Sequence, residues 1–369
     1  MLLRCIAVLT LLMPLAGAEV GLLDGTVVPG PLALTAGKVE VAGRSLPLAD
    51  CDWLILGEPQ ALTVAKTEPA GVWLVDGSWL PAARIVAAPT GEALLASGPM
   101  GDLVLPLTAV LGWSDGPLPA AAAAGEDLVI VAGGPVTGRV EGLRDGALVV
   151  VTSLDPAPLL LPITAIKAVH LAQAERKPAT PALLARTDPR RPPLRLSADL
   201  ALAAAPATRP DLAAISALRL TVDSPRRVWL SDLTPAAVVE EGAFGVVWPH
   251  RRDRDLDGNP IVLGGEVRSK GLTIHSKATL TWDLGGGYLR LLAVVGISDA
   301  LGSEGDCDVL ITGDGRELWR RPGIRGGQAP IPLSLDVSGV NRLAILVDTG
   351  ARHDIGDHLV LADAGLVRR

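Results

Sequence analysis

Acidic residues are crowded into two short runs in the last third of this chain. Asp253, Asp255 and Asp257 alternate and are followed by Gly258. This D-x-D-x-D-G pattern opens an EF-hand-like loop, where alternate oxygen donors converge on Ca²⁺ once a glycine permits the tight turn. The bidentate acid required at the twelfth position is missing: that position is Gly264, and Pro260 interrupts the loop. Arg251, Arg252 and Arg254 oppose a cation, so a charged, solvated turn is the competing reading. The second run is Asp299, Glu304, Asp306 and Asp308. Calcium held by Asp299, Glu304 and Asp306 between two strands is the expectation there, set against an exposed polar loop.

Four of the five histidines, His250, His275, His353 and His358, also fall in this half. His353 and His358 are five apart, which matches no zinc spacing. His275 lies in an apolar strand context and reads as structural. His358 follows Asp357 near a loop, within reach of a sugar hydroxyl. No G-x-S-x-G elbow is present for a serine hydrolase. Paired carboxylates for a glycosidase stay open, because their separations are not legible in a sequence. Trp229, Trp248, Trp282, Trp319, Tyr288 and Phe244 are the aromatic residues here. Trp282 alternates with Leu280 and Leu284 and reads as core. Trp248, in an irregular Pro/His/Arg segment, is the best candidate for an exposed platform, although core packing is open for it too.

These residues need a scaffold, and strand patterns supply it. Alternating or short apolar runs at Gly271 to His275, Thr279 to Trp282, Tyr288 to Val295, Cys307 to Thr312 and Arg342 to Val347 are separated by Gly/Asp turns such as Asp314-Gly315. Many short strands without intervening helices indicate a sandwich. The first half has its own rhythm. Leu46-Pro47-Leu48, Leu105-Pro106-Leu107 and Leu161-Pro162-Ile163 each precede an apolar strand, and LPLTAVLGW matches LPITAIKAV closely. A repeat of this length marks a copied supersecondary unit. Residues 19–176 are therefore expected to form three small SH3-like β units; propeller blades are the alternative. Trp53, Trp73, Trp79 and Trp113 are expected to fill those cores, and His170 to be structural. Lys177 to Leu194 carries five prolines and reads as an extended linker, with a separate sandwich over 195–369.

Composition sets outer limits. With 369 residues and 49% hydrophobic content, two or more globular units are expected. Residues 19–176 carry 8 Lys/Arg against 17 Asp/Glu, and residues 195–369 carry 20 against 22. Neither balance offers the basic face of a nucleic-acid binder. Met1 to Ala18 reads as a secretory signal: Arg4, the apolar run Ile6 to Leu15, then Ala16-Gly17-Ala18. The expected location is secreted, periplasmic or cell-envelope, with no membrane-spanning segment after signal removal. Cys51 and Cys307 would remain, expected as small buried apolar residues rather than a disulfide.

Taken together, WPHRRDRDLDGNPIVLGGEVRSKGLTIHSKATLTWDL at Trp248 to Leu284, GDGRELW at Gly313 to Trp319, LDVSGVNRLAILVD at Leu335 to Asp348 and GDHLVLADAGL at Gly356 to Leu366 resemble the NPCBM family of carbohydrate-binding modules. VWLSDLTP at Val228 to Pro235 resembles its leading strand, so the resemblance covers about 228–367. It implies an all-β fold with a galactose-binding-like jelly-roll β-sandwich after the SH3-like units. It also implies glycan binding without catalysis, with Trp248, His250, Arg252, Asp357 and His358 as the expected sugar contacts. Envelope proteins are a further expected partner; nucleic acid is not. Alternatives are a structural or adhesion protein that binds another protein through the sandwich, and a glycoside hydrolase. One departure stands out: the resemblance expects Trp where this chain has Leu361.

Overall fold

The structure, a computed structural model, describes residues 17–35, 37–58, 70–122, 125–155, 157–177, 179–188, 190–242, 246–351 and 353–369. Most of the predicted signal segment and Phe244 lie outside the described residues. The fold is all-β, and the chain divides into two compact units. One runs to Ser224, apart from a short excursion; the other comprises Leu23–Thr26 and Pro225–Arg369.

The first unit contains one local pattern three times. In the first copy, Leu32–Thr35, Lys38–Val41 and Arg44–Pro47 form a meander. A 3₁₀ turn at Leu48–Asp50 then leads into the strand Cys51–Ile55. In the second copy Arg84–Ala87, Ala93–Gly98 and Gly101–Pro106 are followed by Leu107–Ala109 and Val110–Ser114. In the third, Gly134–Arg144, Ala147–Val151 and Leu159–Pro162 lead through Ile163–Ala165 to Ile166–His170. Each copy also has a leading strand, Glu19–Leu22, Gly71–Leu74 or Asp127–Val131, paired antiparallel with its last one. The repeated Leu-Pro dipeptide thus has a structural cause. Proline sits at the end of the third meander strand, and the next three residues turn as 3₁₀.

Of the tryptophans, Trp79 and Trp113 are buried as expected. Trp53 and Trp73 are half-buried instead, each under a guanidinium: Arg219 lies 4.1 Å from the Trp53 ring centroid and Arg191 5.4 Å from that of Trp73. His170 is structural, its Nδ1 2.7 Å from the Pro119 carbonyl.

The expected linker at 177–194 is corrected. Ala182–Ala185 is a strand between Leu194–Leu196 and Arg219–Asp223, in a sheet that also includes Cys51–Ile55. Leu183, Ala185, Leu194 and Leu196 are buried. The five prolines fall outside Ala182–Ala185 and Leu194–Leu196, so they bracket the strands without costing a ladder hydrogen bond. The division falls between Ser224 and Pro225, not at 195.

The second unit is a sandwich of two antiparallel sheets. One has the order Arg251–Arg252, Gly271–Ile274, Leu359–Arg368, Tyr288–Ile297, Ile331–Asp336, with Arg227–Trp229 also paired to Leu359–Arg368. The other has the order Ala237–Glu240, Ala278–Asp283, Arg342–Thr349, Asp306–Gly313, Arg316–Arg325. Alternate residues of both sheets, among them Leu272, Ile274, Val295 and Leu361 from the first and Leu280, Trp282, Ile311 and Ile345 from the second, form one core. That interleaving is what sandwich packing requires. Cys307 belongs to this core, and both Cys51 and Cys307 are buried free thiols.

Candidate functional site

Three segments meet at one end of the Arg251–Arg252 sheet. Gly271–Ile274 runs into His275 and Ser276, and Asp357-His358 lead into the strand Leu359–Arg368, whose first residue pairs with Ile274. Trp248-Pro249-His250 lead into Arg251–Arg252, which pairs with Thr273 and Leu272. The rings therefore gather at the sheet end. Trp248 stacks on His275 with centroids 5.9 Å apart and planes 19° apart. His358 sits 5.8 Å from Trp248 and 5.7 Å from His275. His275 and His358 are buried, at 5% and 8% exposure, whereas Trp248 is 41% exposed. An indole stacked on a buried ring and still 41% exposed is an apolar shelf.

Polar groups fix the surroundings. The Nδ1 of His275 lies 2.8 Å from the Ser276 carbonyl. Glu240 Oε1 accepts from the His250 backbone N–H at 2.6 Å and lies 2.8 Å from its Nδ1. Asp357 Oδ1 accepts from the Asp306 N–H at 3.1 Å. Burial, with the nearby charge of Asp306, pushes the Asp357 carboxyl above the usual carboxylate range, more than the Ser276 side chain, the Asp306 N–H and the charge of His275 draw it down. Burial, and then the neighbouring charge of His275, hold His358 below the usual imidazole range, favouring the neutral ring.

The expected sugar contacts divide accordingly. Trp248 and Arg252 are exposed and His250 is half-buried. Asp357 has no exposed surface, so it cannot touch a ligand; it positions the loop that carries His358. His275, read as structural, is the shelf's support. The KGLTIHS run was visible in the sequence, but the 27-residue separation (275 − 248) hid the stacking partner. Leu361 is fully buried, across from Leu272 and Val295. The residue that departs from the resemblance therefore faces the core and not the shelf.

The acidic runs are engaged elsewhere. Asp253 accepts from the Gly271 N–H at 3.0 Å and pairs with Lys270 Nζ at 3.0 Å. Asp255 is buried, accepting from the Asn259 N–H at 2.7 Å. Asp299 accepts from the Gly264 and Gly265 N–H groups at 3.0 and 2.6 Å. Asp306 instead points inward; both its oxygens, and Asp357 Oδ2, lack hydrogen-bond partners. Arg325 Nε lies 3.4 Å from Asp306 Oδ2, an ion pair without hydrogen-bond geometry. Asp299, Glu304 and Asp306 thus do not converge, and among the described residues no group of three or more His, Cys, Asp or Glu side chains does.

This sandwich can be placed among known domains. Residues 226–367 match the NPCBM/NEW2 domain. A curated relative, named "Putative endo-alpha-N-acetylgalactosaminidase" from Renibacterium salmoninarum, is 30% identical over 91 residues, covering 25% of this chain and 6% of that protein. Among solved structures, CBM51 of Clostridium perfringens GH95 in complex with methyl-galactose is 22% identical, covering 38% of this chain and 99% of that one, with a TM-score of 0.35. CBM51-2 with the INT domains of Clostridium perfringens ZmpB, in complex with GlcNAc, is 23% identical and covers 38% of this chain and 31% of that one, also at 0.35. The chain thus spans only 6% of the length of the curated relative it matches.

Proposed function

We propose that the chain is an exported, non-catalytic carbohydrate-binding protein whose NPCBM/NEW2 domain holds a glycan on the Trp248 shelf. The carrying observation is the exposed indole backed by buried His275. The apolar face of a pyranose stacks on such a ring, and half-buried His250, two residues along the chain from Trp248, is the polar side chain offered to the hydroxyl groups. Export rests on the N-terminal charge, apolar run and small-residue order; among the described residues no helix is long and apolar enough to cross a membrane. Asp306 and Asp357, two buried carboxylates at this end, are closed to solvent. A glycosidase needs its two carboxyl groups facing a substrate cleft, so this pair does not support hydrolysis. The test is titration of the full chain against a glycan panel that includes galactose and N-acetylglucosamine. Saturable binding that Trp248→Ala weakens at least about tenfold supports the reading; no binding to any glycan ends it.

One observation favours protein binding instead. Val238 and Val239 on the edge strand Ala237–Glu240, with Val246 and Val247, are exposed apolar residues. An unpaired apolar edge is a template for strand addition. Loss of self-association or of capture by envelope proteins in Val239→Lys, with glycan binding absent, would move the function there.

A further inference from the structure

The geometry points to an acidic glycan, one bearing uronate carboxylates or sulfates, as the ligand of the Trp248 shelf; this rests on the carbohydrate-binding reading above. Arg251, Arg252, Arg254 and Lys277 are exposed, and none of their side chains has an ion pair or hydrogen bond with another described residue. Three of them are placed along the strand that leads to His275: the Arg254 carbonyl accepts from Thr273 Oγ1, whereas Arg252 pairs with core-facing Leu272 and takes the opposite side of its strand from Arg251. Arg251 follows Trp248 by three positions and lies in register with Thr273, two residues short of His275. Lys277 follows Ser276 directly.

Three of the nearby acids are held by other groups, although the charges of Asp257 and Asp255 bear on His358. Asp253 is taken by Lys270 and the Gly271 N–H. Asp255 is buried in its own turn, and Glu240 holds His250. Asp257 and Glu241 are the exposed acids in these segments. Some cations elsewhere in the unit are matched, Arg268 by Glu266 and Asp363, each at 2.8 Å, and Lys270 by Asp232 and Asp253, whereas exposed Arg316 and Arg321 lie far along the chain from the shelf, on the edge strand Arg316–Arg325 of the other sheet. The two open guanidinium forks of Arg251 and Arg254, with the Lys277 ammonium, suit planar carboxylate or tetrahedral sulfate, which a fork can grip with two parallel hydrogen bonds. A neutral sugar would use the shelf and leave them idle.

The experiment titrates the full chain with two matched pairs: polygalacturonate and its carboxyl-reduced form, and a sulfated galactan and its desulfated form. The expectation is that at least one acidic member binds about tenfold or more tighter than its neutral counterpart, since contacts to charged groups are the strong ones. That advantage should shrink between about 50 and 500 mM salt as the charges are screened. Arg251→Gln with Arg254→Gln should collapse the acidic-to-neutral ratio toward one. Arg316→Gln with Arg321→Gln, two exposed cations on the opposite sheet's edge strand, should leave the ratio unchanged and so controls for net charge. Which pair responds separates carboxylate from sulfate. Equal binding within both pairs, or a preference that survives the double substitution, overturns the acidic ligand while leaving glycan binding intact. Failure of all four polymers to bind, with a binder found in the glycan panel, overturns the acidic ligand alone; failure across the panel as well removes both readings.

Discussion

Leu361→Trp installs the residue that the NPCBM resemblance expects, and the outcome depends on which way position 361 faces. Leu361 is fully buried and lies across from Leu272 and Val295 within the sandwich core. An indole there must displace packed neighbours, and overfilling a closed core costs about 1–3 kcal/mol. For a unit of roughly 150 residues each kcal/mol lowers the melting temperature by about 2–4 °C. The expected drop in the sandwich transition is therefore about 2–12 °C, measured by calorimetry on the full chain. Glycan affinity measured well below the transition should change little, because the shelf is Trp248 on His275. A surface position would give the reverse: a stability change within about 0.5 kcal/mol and a gain in affinity from a second aromatic. Unchanged melting with tighter sugar binding would refute the core assignment and restore Leu361 as a lost ligand contact.

The shelf should also carry a pH signature with two opposing parts. The lowered His358 value means that its contribution is present above the unfolded value near 6.5 and lost as pH falls through the folded one. The raised Asp357 value means that its contribution is present below 3.8 and lost as pH rises through the folded one. His358→Gln should flatten the fall in melting temperature on acidification below about pH 6.5, and Asp357→Asn should flatten the loss on the rise above about pH 4; curves parallel to the parent protein's would contradict both assignments.

What could and could not be read in advance follows from the range of the interactions. Leu-Pro dipeptides act within a few residues, so the three copies of the first unit were legible in Leu46-Pro47, Leu105-Pro106 and Leu161-Pro162, as was the alternation that buries Trp282. The boundary was misread because proline density reports only that strands stop; it does not say whether Ala182–Ala185 between the prolines finds a partner, and Arg219–Asp223 supplies one. Asp253, Asp255 and Asp299 look like metal ligands because a carboxylate that takes its own turn's N–H groups has the same local spacing as one that takes a cation. Only the three-dimensional partners, Gly271, Asn259, Gly264 and Gly265, distinguish them. The shelf was half visible for the same reason. Exposure of Trp248 follows from its irregular, proline-bearing segment, but its support comes from His275 and His358, brought beneath it by separate strands. A mutation that spares every sugar contact can therefore still abolish binding: His275→Ala removes the floor that holds the indole flat, and Trp248 would lose its orientation before it lost its exposure.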